Sequence, residues 1–268
     1  MRSTVVGRCC ATGRGRIGVT DQEFAALVAE RSARIPGVVA VTLGGSRAQG
    51  DHGPDSDWDF GLYYRGRLDP EDVAALGWPG RVFAPGERGG GVIIGGAWLQ
   101  VDGRQVDLHY RDLDDVEHWL AEARLGRFKV ERLPFYLAGI PTYVVVGELA
   151  VAQVLVGELP RPEFPVALRQ AASSFWQAAA ELSLNYADSV YARRGDALGC
   201  AGWLARAVIE AAHARLAAKW AWVLNEKRIV QRAGLDHLTA HFADLGRTPG
   251  ELHHAVQVIT EALASPSP

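Results

Sequence analysis

The stretch Leu43–Tyr64 reads LGGSRAQGDHGPDSDWDFGLYY and follows the apolar run Val38–Leu43, which suits a buried strand. Gly44 and Gly45, directly after a strand, let backbone N–H groups approach an anion closely. Ser46 adds a hydroxyl at what reads as a helix N-terminus, where the dipole favours phosphate. Alone, the Gly-Gly-Ser turn is equally an ordinary strand-to-helix connection. Asp57-Trp58-Asp59 carries more. In a strand, residues i and i+2 share a face, so the two carboxylates project together while Trp58 and Phe60 face the other way. Two carboxylates held that close repel one another unless a divalent cation sits between them. Magnesium is the hard cation that keeps its waters and shares its shell with phosphates.

Downstream, Val92–Val101 and Gln105–Tyr110 read as two further strands joined by the turn signal Asp102-Gly103. Asp107 sits there between Val106 and Leu108, an expensive place for a carboxylate unless a metal or a partner compensates it. Pairing with an arginine is the plainer alternative. Upstream, Thr20 with Glu23 fits a capping box, followed by a helical face of Phe24, Leu27 and Val28 and a stop at Pro36-Gly37. After the strands, Asp114 or Asp115 is expected to cap a helix running to about Ala123. Gly157–Pro165 has three prolines in six residues. Beyond it the pattern turns helical and alanine-rich, about 166–192 and 198–224 around a turn at Gly195-Asp196, then shorter pieces to 264.

Taken together, Gly45-Ser46, the ten residues 47–56, Asp57-x-Asp59 and a later Asp107 between apolar neighbours resemble the polymerase-beta-like nucleotidyltransferase superfamily. The resemblance covers roughly residues 22–125. The trailing helices look like those of the antibiotic (aminoglycoside or lincosamide) nucleotidyltransferases. The resemblance implies an α/β (α+β) domain with a mixed sheet, followed by an all-α helical bundle. The boundaries expected are a poorly ordered arm at 1–19, the first domain at 20–157, a Pro-rich linker at 158–165 and the helical domain at 166–268. It further implies Mg²⁺-dependent transfer of a nucleoside monophosphate, AMP from ATP, onto a hydroxyl of a small polar acceptor, with release of pyrophosphate. Two Mg²⁺ would be held by Asp57 and Asp59, one of them shared with Asp107, which is also the expected general base. Gly45 and Ser46 would hold the β- and γ-phosphates with help from Arg47, and Lys227 or Lys219 would reach the triphosphate from the helical domain. The rival readings are nucleotidylation of a protein or tRNA, as in toxin–antitoxin members, and a retired transferase that only binds nucleotide.

Composition narrows the field. Hydrophobic residues are 48% and charged ones 22% of the 268, which excludes global disorder and any fibrous class. The net charge of −3, with only three lysines (Lys129, Lys219, Lys227), argues against a dedicated nucleic-acid binder. No apolar run approaches the ~18 residues that span a bilayer, and the N-terminus lacks the apolar core of a secretory leader, so a cytoplasmic protein without membrane contact is expected. Three cysteines, Cys9 and Cys10 adjacent, make no disulfide framework or zinc spacing. Segments 51–72 and 102–122 hold seven acids each against four arginines, a surplus that a polycationic acceptor such as an aminoglycoside would complement. The glycine-rich Gly86–Gly96 lacks the terminal Gly-Lys-Ser/Thr of a P-loop and reads as a hairpin loop. His237 and His241 have helical i, i+4 spacing without a third ligand, and Trp176, Trp203, Trp220 and Trp222 read as core and interface residues.

Overall fold

The computed structural model describes residues 19–87 and 91–264. The expected N-terminal arm therefore lies outside the described residues except for Val19, as do residues 88–90 of the glycine-rich loop. Helix α1 (Asp21–Ser32) opens on the capping box read from the sequence, with Thr20 and Glu23 bonding each other's backbone N–H. Strand β1 (Val38–Leu43) leads into the five-residue α2 (Gly45–Gln49), then β2 (Trp58–Tyr64), α3 (Pro70–Ala74), β3 (Gly80–Val82), β4 (Gly96–Val101) and β5 (Arg104–Asp112). Helix α4 (Leu113–Arg124), a two-stranded ribbon of β6 (Val130–Glu131) and β7 (Ile140–Pro141), helix α5 (Val144–Val151) and strand β8 (Gln153–Val156) complete this part.

Six strands form one mixed sheet in the order β3-β4-β5-β2-β1-β8. Only β2 and β5 run parallel; the other neighbours are antiparallel. Alternation gives the sheet two different faces. One carries Trp58, Phe60, Leu62, Val106 and Leu108, all buried with Phe24 and Val28 of α1. Burying each such side chain contributes ~1.5–3 kcal/mol, so this face is the main anchor of the sheet. The other face is covered at one end, where Ala40 and Tyr63 pack with Tyr143 and Val144 of α5 and with Leu168 and Trp176. Its opposite end, bearing Asp59 and Asp107, is left open to a cleft.

Several local expectations need correction. Strand β4 starts at Gly96 rather than Val92, because the Val92 N–H is taken by Glu131 Oε2 at 3.1 Å and leaves the ladder. Asp112, not Asp114 or Asp115, caps α4: its carboxylate accepts from the Asp114 N–H at 3.0 Å. Asp114 and Asp115 instead fill the first turn, where the helix dipole favours them.

Residues 158–165 form neither helix nor strand. The helical region consists of α6 (Val166–Tyr186), a π-helical turn over Ala187–Tyr191, a 3-10 turn over Ala192–Arg194, α7 (Ala197–Ala218), the single turn α8 (Ile229–Arg232), a 3-10 stretch over Asp236–Ala243 and α9 (Pro249–Ala264). The helical run that starts at Val166 thus continues past 192, its last turns π and 3-10 rather than α, whereas α7 ends at Ala218 rather than 224. Trp220 adopts a left-handed φ of 59°, and the Ala221 N–H closes the helix end on the Leu216 carbonyl at 2.9 Å. The chain then turns back, and Leu224 reaches α5. Trp176 is buried and donates from Nε1 to the Tyr143 hydroxyl at 3.0 Å, joining α6 to α5. No helix among the described residues is long and apolar enough to cross a membrane.

Candidate active site

Parallel pairing of β2 and β5 sets Asp59 directly opposite Asp107 in register, on the open face of the sheet. Two carboxylates almost fifty residues apart in sequence become neighbours through strand pairing alone. Asp57 stands one residue before β2, exposed at the same cleft. The cost of this arrangement falls on Asp107. Its carboxyl is pushed above the ordinary range by burial first, and further by the charges of Asp59 and Asp57. The Gln105 amide, which donates from Nε2 to Asp107 Oδ1 at 3.1 Å, and His109 pull the other way. His109, two residues along β5 and so on the same face, places Nε2 3.3 Å from Asp59 Oδ1.

The turn after β1 is fitted to this carboxylate. Gly44 donates its N–H to the Asp59 carbonyl at 2.8 Å. Gly45 takes a left-handed φ of 59°, and a Cβ there would come 1.9 Å from Asp59 Oδ2, so no side chain fits. Ser46 lines the cleft beside it. Arg47 does not join them. Its Nε and Nη2 donate to the Ser56 carbonyl at 3.2 and 2.9 Å, its Nη1 to Asp21 at 3.1 Å, and its guanidinium carbon stands over the Trp58 ring. The guanidinium is turned away from the phosphate-binding position expected of it and holds the loop that delivers Asp57.

The cleft has a volume of about 660 Å³, and its far wall comes from the helical region. Asn225, Lys227, Arg228 and Arg232 line that wall, facing the acidic end of the sheet, whereas Lys219 caps α7 outside it. Arg228 sits at a left-handed φ of 55°, and Arg232 donates to the Trp222 carbonyl at 2.7 Å. Between these charged residues, Glu226 accepts from the N–H groups of Leu137 and Ala138 at 2.6 and 2.8 Å, clasping the 133–139 loop. Deeper along β5, buried Arg111 holds Glu148 of α5 through two bonds of 2.6 and 2.8 Å. Sequence reading passed over His109, Glu148, Arg228 and Arg232. Only His109 carried a signal, its i+2 position after Asp107. His237 and His241 fall in the exposed 3-10 stretch and not on one α-helical face.

Of the fourteen acids in 51–72 and 102–122, five line the cleft: Asp51, Asp55, Asp57, Asp59 and Asp107. Five of the other nine cap helices or pair with arginines. Asp69 and Asp112 cap helices, Arg65 bridges Asp114 and Glu117, and Glu122 pairs with Arg127. Among the described residues no three His, Cys, Asp or Glu side chains converge tightly enough to cage an ion unaided. Magnesium asks for less, one or two carboxylates completed by waters and phosphates. The in-register Asp59 and Asp107, whose mutual repulsion a cation would relieve, fit that requirement.

Residues 25–117 match the family model of the nucleotidyltransferase domain, a span that contains the turn and all three aspartates. No curated protein matches the chain. Solved structures similar to it include a nucleotidyltransferase-like protein from Exiguobacterium sibiricum 255-15, 12% identical with a TM-score of 0.44, the overlap covering 87% of this chain and 70% of that one. Another is the spectinomycin adenyltransferase AAD(9) from Enterococcus faecialis, solved with ATP and spectinomycin, 11% identical with a TM-score of 0.29, covering 88% of this chain and 94% of that one. The match over residues 25–117 is the comparison that bears on chemistry.

Proposed function

We propose, from the nucleotidyltransferase domain that residues 25–117 form, that this transferase moves a nucleoside monophosphate, AMP from ATP, onto a hydroxyl of a small acceptor in a Mg²⁺-dependent reaction. The observation that carries the reading is the Asp59–Asp107 pair, in register on parallel strands, with the Gly45 turn pressed against Asp59. Asp57, Asp59 and Asp107 are the residues that would hold two Mg²⁺, whose contribution when bound is to neutralise the charge of the triphosphate and the leaving group.

The chain's own groups do the rest. Backbone N–H groups of Gly45 and Ser46 and the Ser46 hydroxyl bind the β- and γ-phosphates, while the Gly44 N–H stays on the Asp59 carbonyl. Lys227, with Arg228 and Arg232, meets them from the opposite wall. The acceptor oxygen forms a bond to the α-phosphorus as the bond from that phosphorus to the α–β bridging oxygen breaks. Pyrophosphate leaves, and the hydroxyl proton passes to Asp107, which Gln105 holds in place. The cleft, walled on both sides, favours a small acceptor over a macromolecular one.

The test is twofold. ATP should raise the melting temperature only when Mg²⁺ is present, and Asp59→Asn should abolish that rise. With α-labelled ATP and a small-molecule extract, label should move to a low-molecular-weight product. Label on protein or tRNA instead would replace the small acceptor, and Mg²⁺-independent or absent ATP binding would sink the whole reading.

A further inference from the structure

The carboxylate end occupies only part of the cleft. Following β5 away from Asp107, the same face presents His109 and then Arg111, roughly 13 Å further on at ~3.3 Å per residue. There the lining changes character. Ile93, Leu133 and Leu224, half-buried, lean on the core around Val144 and open onto the cleft. Leu224 is brought there by the chain reversal after α7 and sits against Gly147, where an added Cβ would already be within 3.0 Å of it.

The polar groups in this recess are Glu148 and Tyr136. Both Glu148 oxygens accept from Arg111, whose third nitrogen donates to the Tyr110 carbonyl at 2.8 Å, so each guanidinium nitrogen has a partner. A carboxylate has about four acceptor sites, and the pair uses two. Glu148 retains about a third of its side-chain exposure and faces the cleft with the remainder. Because Arg111 already balances its charge, the recess offers hydrogen-bond acceptance without a net negative field. A polycation gains nothing there, since the five cleft-lining acids of the two acidic segments, Asp51, Asp55, Asp57, Asp59 and Asp107, do not include Glu148 and its charge is already met by Arg111.

We infer that the acceptor is a neutral or singly charged amphiphile, a hydroxylated ring carrying an apolar substituent, with the substituent in the Ile93–Leu133–Leu224 recess and ring hydroxyls donating to Glu148. This rests on the transferase reading and adds to it the class of acceptor. The molecule is elongated, since it fills the recess and still presents one hydroxyl toward Asp107. Specificity comes from the recess, and chemistry from the carboxylate end.

The experiment uses the full chain with Mg²⁺ and a non-hydrolysable ATP analogue, and measures binding of three probes calorimetrically. They are octyl β-glucoside below its micelle concentration, methyl β-glucoside and kanamycin. Octyl glucoside should bind at least tenfold more tightly than methyl glucoside, with an affinity unchanged between low and high salt. Leu133→Ser and Ile93→Ser should each lower octyl glucoside affinity at least fivefold while leaving the Mg²⁺-dependent thermal shift by ATP intact. Both positions are half-buried, so the two variants check one another for folding. Equal binding of the two glucosides, or tighter salt-sensitive binding of kanamycin, overturns the inference while the ATP shift still stands. Loss of the ATP shift in the unmodified protein overturns the transferase reading instead.

Discussion

The Arg47 guanidinium carbon stands over the Trp58 ring, 4.0 Å from its centre, and two of its nitrogens clamp the Ser56 carbonyl, so one guanidinium fixes both residues that flank Asp57. Its side chain is only 8% exposed. Replacing it with Ala removes hydrogen bonds from a buried charged group, a loss of about 1.5–3 kcal/mol. Arg47→Ala should therefore lower the denaturant midpoint and raise the Mg²⁺ concentration needed for ATP-induced stabilisation. Arg47→Lys should not rescue, since an ammonium cannot reproduce the planar fork. A variant of unchanged stability that binds ATP weakly even at saturating Mg²⁺ would show the side chain acting on the nucleotide itself.

Gly45→Ala should disable the site from the other side. The methyl would stand 1.9 Å from Asp59 Oδ2 in a left-handed conformation that costs an L-residue roughly 1–2 kcal/mol. Asp59 or the turn must then shift. Mg²⁺-dependent ATP binding should be lost with only a modest fall in melting temperature. Gly50→Ala is the control: it shares a left-handed φ of 77° but meets nothing within 4 Å, and it should keep binding.

Asp107→Asn should move stability and activity in opposite directions. Single-turnover transfer should fall by ~10²–10⁴ while ATP binding changes little, as expected for loss of a general base. In the metal-free protein the same change should raise the melting temperature near pH 7. Burial in the folded state raises this carboxyl above its ordinary range, so between the unfolded and folded pKa the native state holds more protons. Wild-type stability consequently declines as pH rises through that window, and the Asn variant should lack this component of the decline. Melting curves from pH 3.5 upward in chelator decide it; equal loss of ATP binding and transfer would make Asp107 a metal ligand first.

The basic wall makes a separate prediction. Lys227→Ala should weaken ATP binding about tenfold at low salt, the scale of one charge-assisted hydrogen bond, and by less at high salt, where exposed charges are screened. Lys219→Ala, at the C-cap of α7 outside the cleft, should leave affinity unchanged. Equal effects of the two would mean general surface attraction rather than contact.

The carboxylate-bearing face was readable because alternation is a local rule. Asp59 and Asp107 could be assigned to strands from their apolar neighbours, Asp57 falls one residue before β2, and β1 has the bounds its sequence suggests. That β2 and β5 run parallel and in register could only come from the sheet. Helix α5, VVVGELAV, was not visible, because a segment buried on most sides has no apolar period to detect. Its one acid, Glu148, was missed with it. The fate of Arg47 was equally hidden, since its partners Ser56 and Asp21 are set by a loop and by the start of α1. The acid surplus could be apportioned only by the structure, for a related reason: composition counts charges but does not say which line the cleft and which cap helices.

Glu226 gives the cleft a pivot. One carboxylate holds two successive amides of the 133–139 loop, while Lys227 and Arg228, its immediate neighbours, line the cleft. A swing of the basic wall toward a bound triphosphate would start one residue from this clasp, which favours movement of the Lys227 and Arg228 side chains over movement of the backbone that carries them. In the transferase proposed, the grip on the nucleotide is thus a matter of finger movement about a locked knuckle rather than of a jaw closing.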